Sequence, residues 1–203
     1  METLSRLFGS ETKVKMLKLF IFNADKIFDA SEISERVKED SRKVRRELNG
    51  FEKMGLVKRR SLSKKKGSGY ILDHQFSHLA ALGAFLLSVE PLQPDEIVKK
   101  IGKLGSIKLI LIAGIFIQDP ESRIDLLVVG DGLKKTSFEN TVKTLEAEIG
   151  KELRYAYFTT ADFKYRISMF DKLTRDILDY PHRMVLNKLG SVINAEKKPS
   201  FSY

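Results

Sequence analysis

Apolar residues recur at helical spacing in the first 55 positions of the chain. Val14, Leu17 and Ile21 lie three or four residues apart, which predicts a helix over residues 10–22. Ile33 and Val37 predict a second, shorter helix over residues 31–37. Lys13, Lys15 and Lys18 alternate with the apolar positions of the first helix.

A third helix is predicted over residues 42–54, because its apolar and polar positions separate onto two faces. Val44, Leu48 and Phe51 follow the spacing i, i+4, i+7 and form one stripe. Asp40 or Ser41 can cap the start of this helix. The opposite stripe contains no acidic residue, and its members are Arg42, Arg45, Arg46 and Asn49.

Two short extended segments follow, at residues 56–62 and 69–72. The turn between them, residues 63–68, contains Gly67 and three consecutive lysines, Lys64, Lys65 and Lys66. This pattern predicts a β-hairpin with a cationic tip. The first third of the chain is therefore predicted to contain three helices and then a hairpin.

The order of elements from Leu17 to Leu72 resembles the winged helix-turn-helix family, especially the small repressor-like modules of bacteria and archaea. The matching residues are 31–37 (SEISERV), 44–48 (VRREL) and 51–57 (FEKMGLV). The resemblance implies that the helix containing Val44 enters the major groove of DNA. It also implies that the hairpin tip at residues 64–66 contacts backbone phosphates.

The charge distribution agrees with a polyanionic partner. Residues 41–66 contain 11 basic and 2 acidic residues, so this window carries a net charge equal to the +9 of the whole chain. The rest of the chain has equal numbers of basic and acidic residues, so the single basic segment indicates a docking surface for a polyanion. The family resemblance implies that this polyanion is double-stranded DNA. The chain has no cysteine and no long apolar run, which predicts a cytoplasmic protein without disulfides and without a membrane span.

The basic residues divide by their expected targets. Arginine fits the O6/N7 edge of guanine and asparagine the N6/N7 edge of adenine, so the helix face is predicted to read bases. The predicted base contacts are Arg42, Arg45, Arg46 and Asn49. The predicted phosphate contacts are Lys43, Lys53, Arg59, Arg60, Lys64, Lys65 and Lys66. The alternative is a solvated charged helix face, which normally mixes both signs.

An apolar helix is predicted over residues 76–89, with Phe76, Leu79, Leu82 and Leu86 along one stripe. A helix that is apolar on most sides needs cover on most sides. Two interpretations stay open, a connecting helix between domains or a homodimer interface. The predicted domains are residues 1–75 for DNA binding, 76–103 for connection or dimerisation and 104–190 for a second domain, followed by a tail at 191–203.

The second domain is predicted to be a small α/β domain with a mixed sheet, which makes the whole chain α+β. Strands are expected at residues 107–113, 124–129 and 153–158, with a last extended piece at 184–186. Helices are expected at 136–149, 160–167 and 171–178, the first of them opened by a capping box at Thr136 and Glu139.

This order, with Gly114 after the first strand and the segment IDLLVV at residues 124–129, resembles a minimal nucleotidyltransferase domain of the polymerase-beta type. The family implies a Gly-Ser pair for nucleotide phosphates and two aspartates, two residues apart, for magnesium. Here Ile115 replaces the serine and Arg123 replaces the first aspartate, which leaves Asp125 alone.

One carboxylate beside a guanidinium is a poor magnesium site. We therefore expect an Arg123–Asp125 ion pair, no catalytic residue, no metal and no cofactor, with Gly114, Arg123 and Asp125 as remnants of a nucleotide site. Phosphate binding by Gly114 and Arg123 without a metal is a further hypothesis. The alternatives are an active nucleotidyltransferase that uses the basic domain to hold a nucleic-acid or protein substrate, and a protein-interaction module.

Overall fold

The computed structural model describes residues 2–61, 67–88, 92–119 and 121–190. The chain forms two compact units, one of Met1–Leu92 with Asn140–Glu152 and the other of Gln93–Glu139 with Leu153–Tyr203. This division differs from the predicted ranges, since the first unit extends through residue 92 and includes a segment from the second half of the chain.

The first unit contains five helices and a hairpin in its described part before residue 92. They are α1 (Glu2–Phe8), α2 (Glu11–Phe22), α3 (Ala30–Val37), α4 (Ser41–Lys53), β1 (Val57–Ser61), β2 (Ser68–Leu72) and α5 (Leu79–Ser88). The starts of α2, α3 and α4 are fixed by Ser10, Asp29 and Asp40, whose side chains accept hydrogen bonds from free backbone N–H groups. Helix α1 was not predicted from the sequence.

The core of the first unit lies between α2, α4 and the hairpin. Phe20 meets both Phe28 and Phe51 edge to face, with ring centroids 6.0 and 6.4 Å apart. Strands β1 and β2 are antiparallel, and the Phe28 segment joins them through paired backbone hydrogen bonds with Tyr70. The hairpin is thereby held against the helices.

Helix α5 is shorter than predicted and packs along one side. Leu86 is buried in the core of the first unit, and Leu79 and Leu82 pack against that core. Ala80 and Ala84 on the other side are exposed. The predicted apolar helix therefore buries part of its surface within the first unit and leaves a small-residue side in solvent.

The second unit is built around a four-stranded sheet. Its elements are α6 (Pro94–Ile101), β3 (Ser106–Ile112), a 3-10 helix (Gly114–Phe116), β4 (Leu126–Asp131), β5 (Tyr155–Phe158), α8 (Thr160–Ser168), α9 (Lys172–Asp179) and β6 (Arg183–Asn187). Helix α7 (Lys135–Ile149) follows β4 and is divided between the two units. The strand order is β5-β4-β3-β6, with β4 and β5 parallel and the other pairs antiparallel. The predicted α+β class with a mixed sheet is confirmed at this level.

The segment Asn140–Glu152 includes most of α7 and belongs to the first unit. Lys18 Nζ donates to the Glu148 carbonyl at 3.0 Å, and Asn23 Nδ2 donates to the Gly150 carbonyl at 2.8 Å. These side chains of α2 and its C-cap satisfy carbonyls that the end of a helix leaves without intrahelical partners. Lys18 and Asn23 are buried for this reason although both are polar.

No helix in the described ranges has both the length and the apolarity that crossing a bilayer requires.

Candidate nucleic-acid interface

Helix α4 has the two faces that its sequence predicted. Val44, Leu48 and Phe51 are buried in the core of the first unit. The opposite side chains are all exposed, namely Arg42, Arg45, Arg46 and Asn49. The helix thus offers a row of hydrogen-bond donors to solvent while its other side holds it in place.

Acidic residues from beside this row partner some of its arginines. Arg42 Nε lies 3.6 Å from Asp40 Oδ1, and Arg46 Nη2 lies 3.5 Å from Glu47 Oε1. The Glu47 side chain is only 9% exposed, and its other oxygen lies 3.6 Å from Lys13 Nζ. The row itself has no acid, but Asp40 at the N-cap and Glu47 on the helix lie at its edge, so two of its arginines have an acidic neighbour.

Lys43 is also partnered. Its Nζ lies 3.4 Å from Glu39 Oε2, while Glu39 Oε1 accepts a hydrogen bond from Lys15 at 2.8 Å. Burial raises the pKa of the Glu39 carboxyl, but hydrogen bonds and charge attraction from Lys15 and Lys43 outweigh this effect. The net result holds the pKa of Glu39 below its ordinary value.

Three of the predicted contact residues have exposed charges that no acidic side chain of the described residues pairs with. Arg45, Lys53 and Arg60 are exposed and form no ion pair with any residue that the structure describes. A cation with no acidic partner has no internal interaction to give up before it binds a phosphate or a base. These three residues are therefore the strongest candidates for direct nucleic-acid contact on geometric grounds.

The hairpin contributes one arginine that is held in place. Arg59 Nε lies 2.9 Å from Glu52 Oε1, and its guanidinium stacks 5.6 Å from the centre of the Tyr70 ring. Lys58 Nζ likewise lies 2.9 Å from Asp73 Oδ1. The predicted phosphate contacts Lys64, Lys65 and Lys66 lie outside the described residues.

In the second unit, the predicted ion pair between Arg123 and Asp125 is wrong. Arg123 Nη1 donates to Asp176 Oδ2 at 2.7 Å. The Asp125 side chain instead pairs with Arg154, whose Nε and Nη2 donate to its two oxygens at 3.1 and 3.0 Å. The reason is that β4 begins only at Leu126, so the same-side rule for strand residues does not apply to positions 123 and 125.

Arg154 reaches Asp125 because the two residues immediately precede parallel strands. Its backbone carbonyl accepts from the Asp125 N–H at 2.7 Å, just before β4 and β5 pair. The hydrogen bond to Asp125 also raises the pKa of Arg154 further above its ordinary value, despite a smaller opposing effect of burial. Arg154 was not predicted as a partner of Asp125, although it falls in the strand expected at residues 153–158.

The Asp125 carboxylate is fully engaged. Besides the Arg154 guanidinium, it accepts backbone N–H groups of Ile115 at 3.0 Å and Arg154 at 2.8 Å. Gly114 adopts φ +51°, and a Cβ there would collide with Asp125 Oδ1. Gly114 and Asp125 therefore form one structural arrangement, and a metal ion would have to displace a guanidinium to reach this carboxylate.

The described part of the first unit contains a cavity of about 250 Å³. It is lined by charges of both signs, and Arg36 Nη1 lies 2.7 Å from Glu152 Oε1 at its wall. Ligand pockets usually exceed about 300 Å³ and are mostly apolar. Within the described ranges, no three histidine or acidic side chains are grouped to hold a metal ion.

No family model, no curated protein and no solved structure matches this chain.

Proposed function

We propose that the first unit is a winged helix-turn-helix domain that binds double-stranded DNA, and that the protein is a transcriptional regulator. Helix α4 would enter the major groove, and the β1–β2 hairpin would lie along the phosphates. The observation that carries this proposal is the exposed row on α4, which presents Arg45 without an acidic partner among the described residues.

The contact residues have different roles in this proposal. Arg45 and Asn49 lie four residues apart on the exposed side of α4 and would read base edges, as would Arg42 and Arg46. Lys53 and Arg60 would contact phosphates, and this set also includes Lys43, Arg59, Lys64, Lys65 and Lys66.

The proposal includes pairing of two copies on DNA with two half-sites. The exposed side of α5, with Ala80, Ala84 and Phe85, is the surface assigned to that pairing, as the sequence pattern at residues 76–89 suggested. A cytoplasmic location also belongs to this proposal, and the absence of cysteine fits it.

For the second unit we propose a nucleotidyltransferase-like domain without phosphoryl-transfer chemistry. The bidentate Arg154–Asp125 pair supports this, because it occupies the one carboxylate that matches the family pattern. The alternative, an active nucleotidyltransferase, requires that carboxylate to bind a divalent cation.

The test of DNA binding uses the full chain and a pool of random double-stranded DNA. Repeated selection should enrich one sequence. In anisotropy titrations at several salt concentrations, the logarithm of the binding constant should fall against the logarithm of the salt concentration with a slope of about −5, as about six phosphate contacts predict. A salt-independent affinity, or no enrichment at all, would refute the proposal.

The enzymatic alternative is tested separately with labelled nucleoside triphosphates and magnesium. We expect no label on RNA, DNA or protein. Transfer that Asp125→Asn abolishes would overturn the proposal for the second unit and leave DNA binding by the first unit standing.

A further inference from the structure

Exposed large apolar side chains concentrate at the corner between α8 and α9 of the second unit. Tyr165 is 65% exposed, Met169 62%, Phe170 64% and Leu173 38%. Tyr165 and Met169 are four residues apart at the end of α8, so they share one side of that helix. We call these four residues the corner patch.

Phe170 adopts a backbone conformation that bulky residues avoid. Its φ is +54°, and it occupies the turn position after α8 where glycine is usual. The turn is closed by Phe170 N–H donating to the Ile167 carbonyl at 3.1 Å and Asp171 N–H donating to the Arg166 carbonyl at 3.0 Å. The Phe170 ring is exposed to solvent, so burial within the chain does not offset the cost of this backbone conformation. A strained residue without such an internal gain indicates an interaction role.

The size of the corner patch suits one side of a protein interface. Tyr165 and Phe170 each leave roughly 130 Å² in solvent, taking about 200 Å² for a whole aromatic side chain. With Met169 and Leu173 the exposed apolar area reaches roughly 400 Å², within the range of about 300–600 Å² that the largest and often functional apolar patch of a monomer covers. A standard interface buries about 800 Å² per partner, of which about 60% is apolar.

The charge around the corner patch favours a second copy of this chain as the occupant. Residues 160–180 contain four basic and four acidic side chains. Arg166 Nη1 lies 3.2 Å from Asp171 Oδ1, and Arg175, whose guanidinium lies 6.0 Å from the Phe170 ring centre, pairs with Asp179 at 3.9 Å. A surface that binds a polyanion needs an excess of cationic side chains, which this surface lacks.

In a two-fold symmetric dimer, the same surface of each chain forms both sides of the interface. A surface with equal numbers of both charges meets no net repulsion in that arrangement, and its apolar centre is self-complementary. We propose that the corner patch is a self-association surface through which the second units of two chains pair. This proposal does not depend on DNA binding, nor on pairing through α5.

The experiment is sedimentation of the full chain from low to high micromolar concentration. Phe170→Gly removes the ring and also suits the left-handed backbone, so it should weaken self-association roughly tenfold or more while the fold becomes no less stable. Met169→Glu should have the same effect by placing a charge in the interface.

Two control variants separate the possible surfaces. Leu7→Ser changes another highly exposed apolar residue, on α1, and should leave association unchanged. Phe85→Ser tests the α5 surface. A wild-type chain that is monomeric at all concentrations would overturn the proposal. So would association that Phe85→Ser abolishes and that Phe170→Gly leaves intact. If Met169→Glu lowers stability in urea, Phe170→Gly alone decides the outcome.

Discussion

Glu47 Oε1 lies 3.5 Å from Arg46 Nη2, so this arginine of the exposed α4 row stands beside a carboxylate. Arg45, one residue earlier, has no acidic partner in the described ranges. Two adjacent arginines on the same helix therefore differ in whether a carboxylate of the described residues already pairs with them. In the proposed DNA complex, Arg45 would contribute its whole charge, whereas the charge of Arg46 is partly balanced by Glu47.

Arg45→Ala should weaken binding to the selected DNA site by about 1–3 kcal/mol and relax sequence preference, as loss of a base contact does. Arg46→Ala should also relax sequence preference, but with a smaller loss of affinity, because part of its interaction is already made with Glu47. Anisotropy titrations on the selected and a scrambled duplex measure both effects. Lys99→Ala removes an exposed charge of the second unit and should change neither quantity.

Glu47→Gln should strengthen binding to both duplexes and steepen the salt dependence. The substitution removes a negative charge from beside the proposed DNA-binding row and would release Arg46 and Lys13 to contact phosphates. Discrimination between the duplexes should fall, because a released Arg46 can exchange a base contact for a phosphate. Glu121→Gln in the second unit is the matched control. Weaker binding by Glu47→Gln would mean that the carboxylate holds α4 in place instead.

Arg60→Ala and Lys65→Ala should weaken binding to all sequences about equally and reduce the salt slope by about 1 each. Both residues are assigned to phosphates, which look alike along every duplex. If Lys65→Ala changed sequence preference while Arg46→Ala did not, the assignment of helix to bases and hairpin to phosphates would be reversed.

Gly114→Ala should destabilise the second unit by at least about 2 kcal/mol more than Gly132→Ala. Both glycines have positive φ, +51° and +74°, but only at Gly114 would a Cβ meet the Asp125 carboxylate; at Gly132 the space is open. Urea unfolding measures the free energy of unfolding of both variants. Each variant places a Cβ at a positive φ, so the difference between them reports the contact with Asp125. Equal losses would show that the carboxylate moves aside without cost.

Glu39 should contribute to the loss of stability in acid. Its folded pKa lies below its unfolded value, so its contribution is complete above the unfolded pKa and is lost as the pH falls through the folded pKa. Between about pH 5 and pH 3, the unfolding free energy of Glu39→Gln should therefore decline less than that of the wild type. Urea unfolding at a series of pH values measures this, with Glu121→Gln as control. Parallel profiles would contradict it.

Local elements were largely predictable from the sequence. Helices α2, α3 and α4 start within one residue of their predicted positions, since the capping residues and the apolar period are both written in the local sequence. Helix α1 escaped prediction because a seven-residue helix with Leu4 as its buried residue shows too few repeats to define a period. The strand preceded by Asp125 began later than predicted, and that small shift changed the partner of the carboxylate.

The sequence by itself determined which side of α4 is buried and which carries the arginines, because a helical period fixes side-chain direction within a few residues. Only the tertiary structure decided that Arg154 holds Asp125 and that Asn140–Glu152 joins the first unit. Both depend on residues far apart in the sequence meeting in space, since 29 positions separate Asp125 from Arg154 and 130 separate Lys18 from Glu148. A periodic pattern records the direction of a side chain and contains no information about the distant group that it will meet.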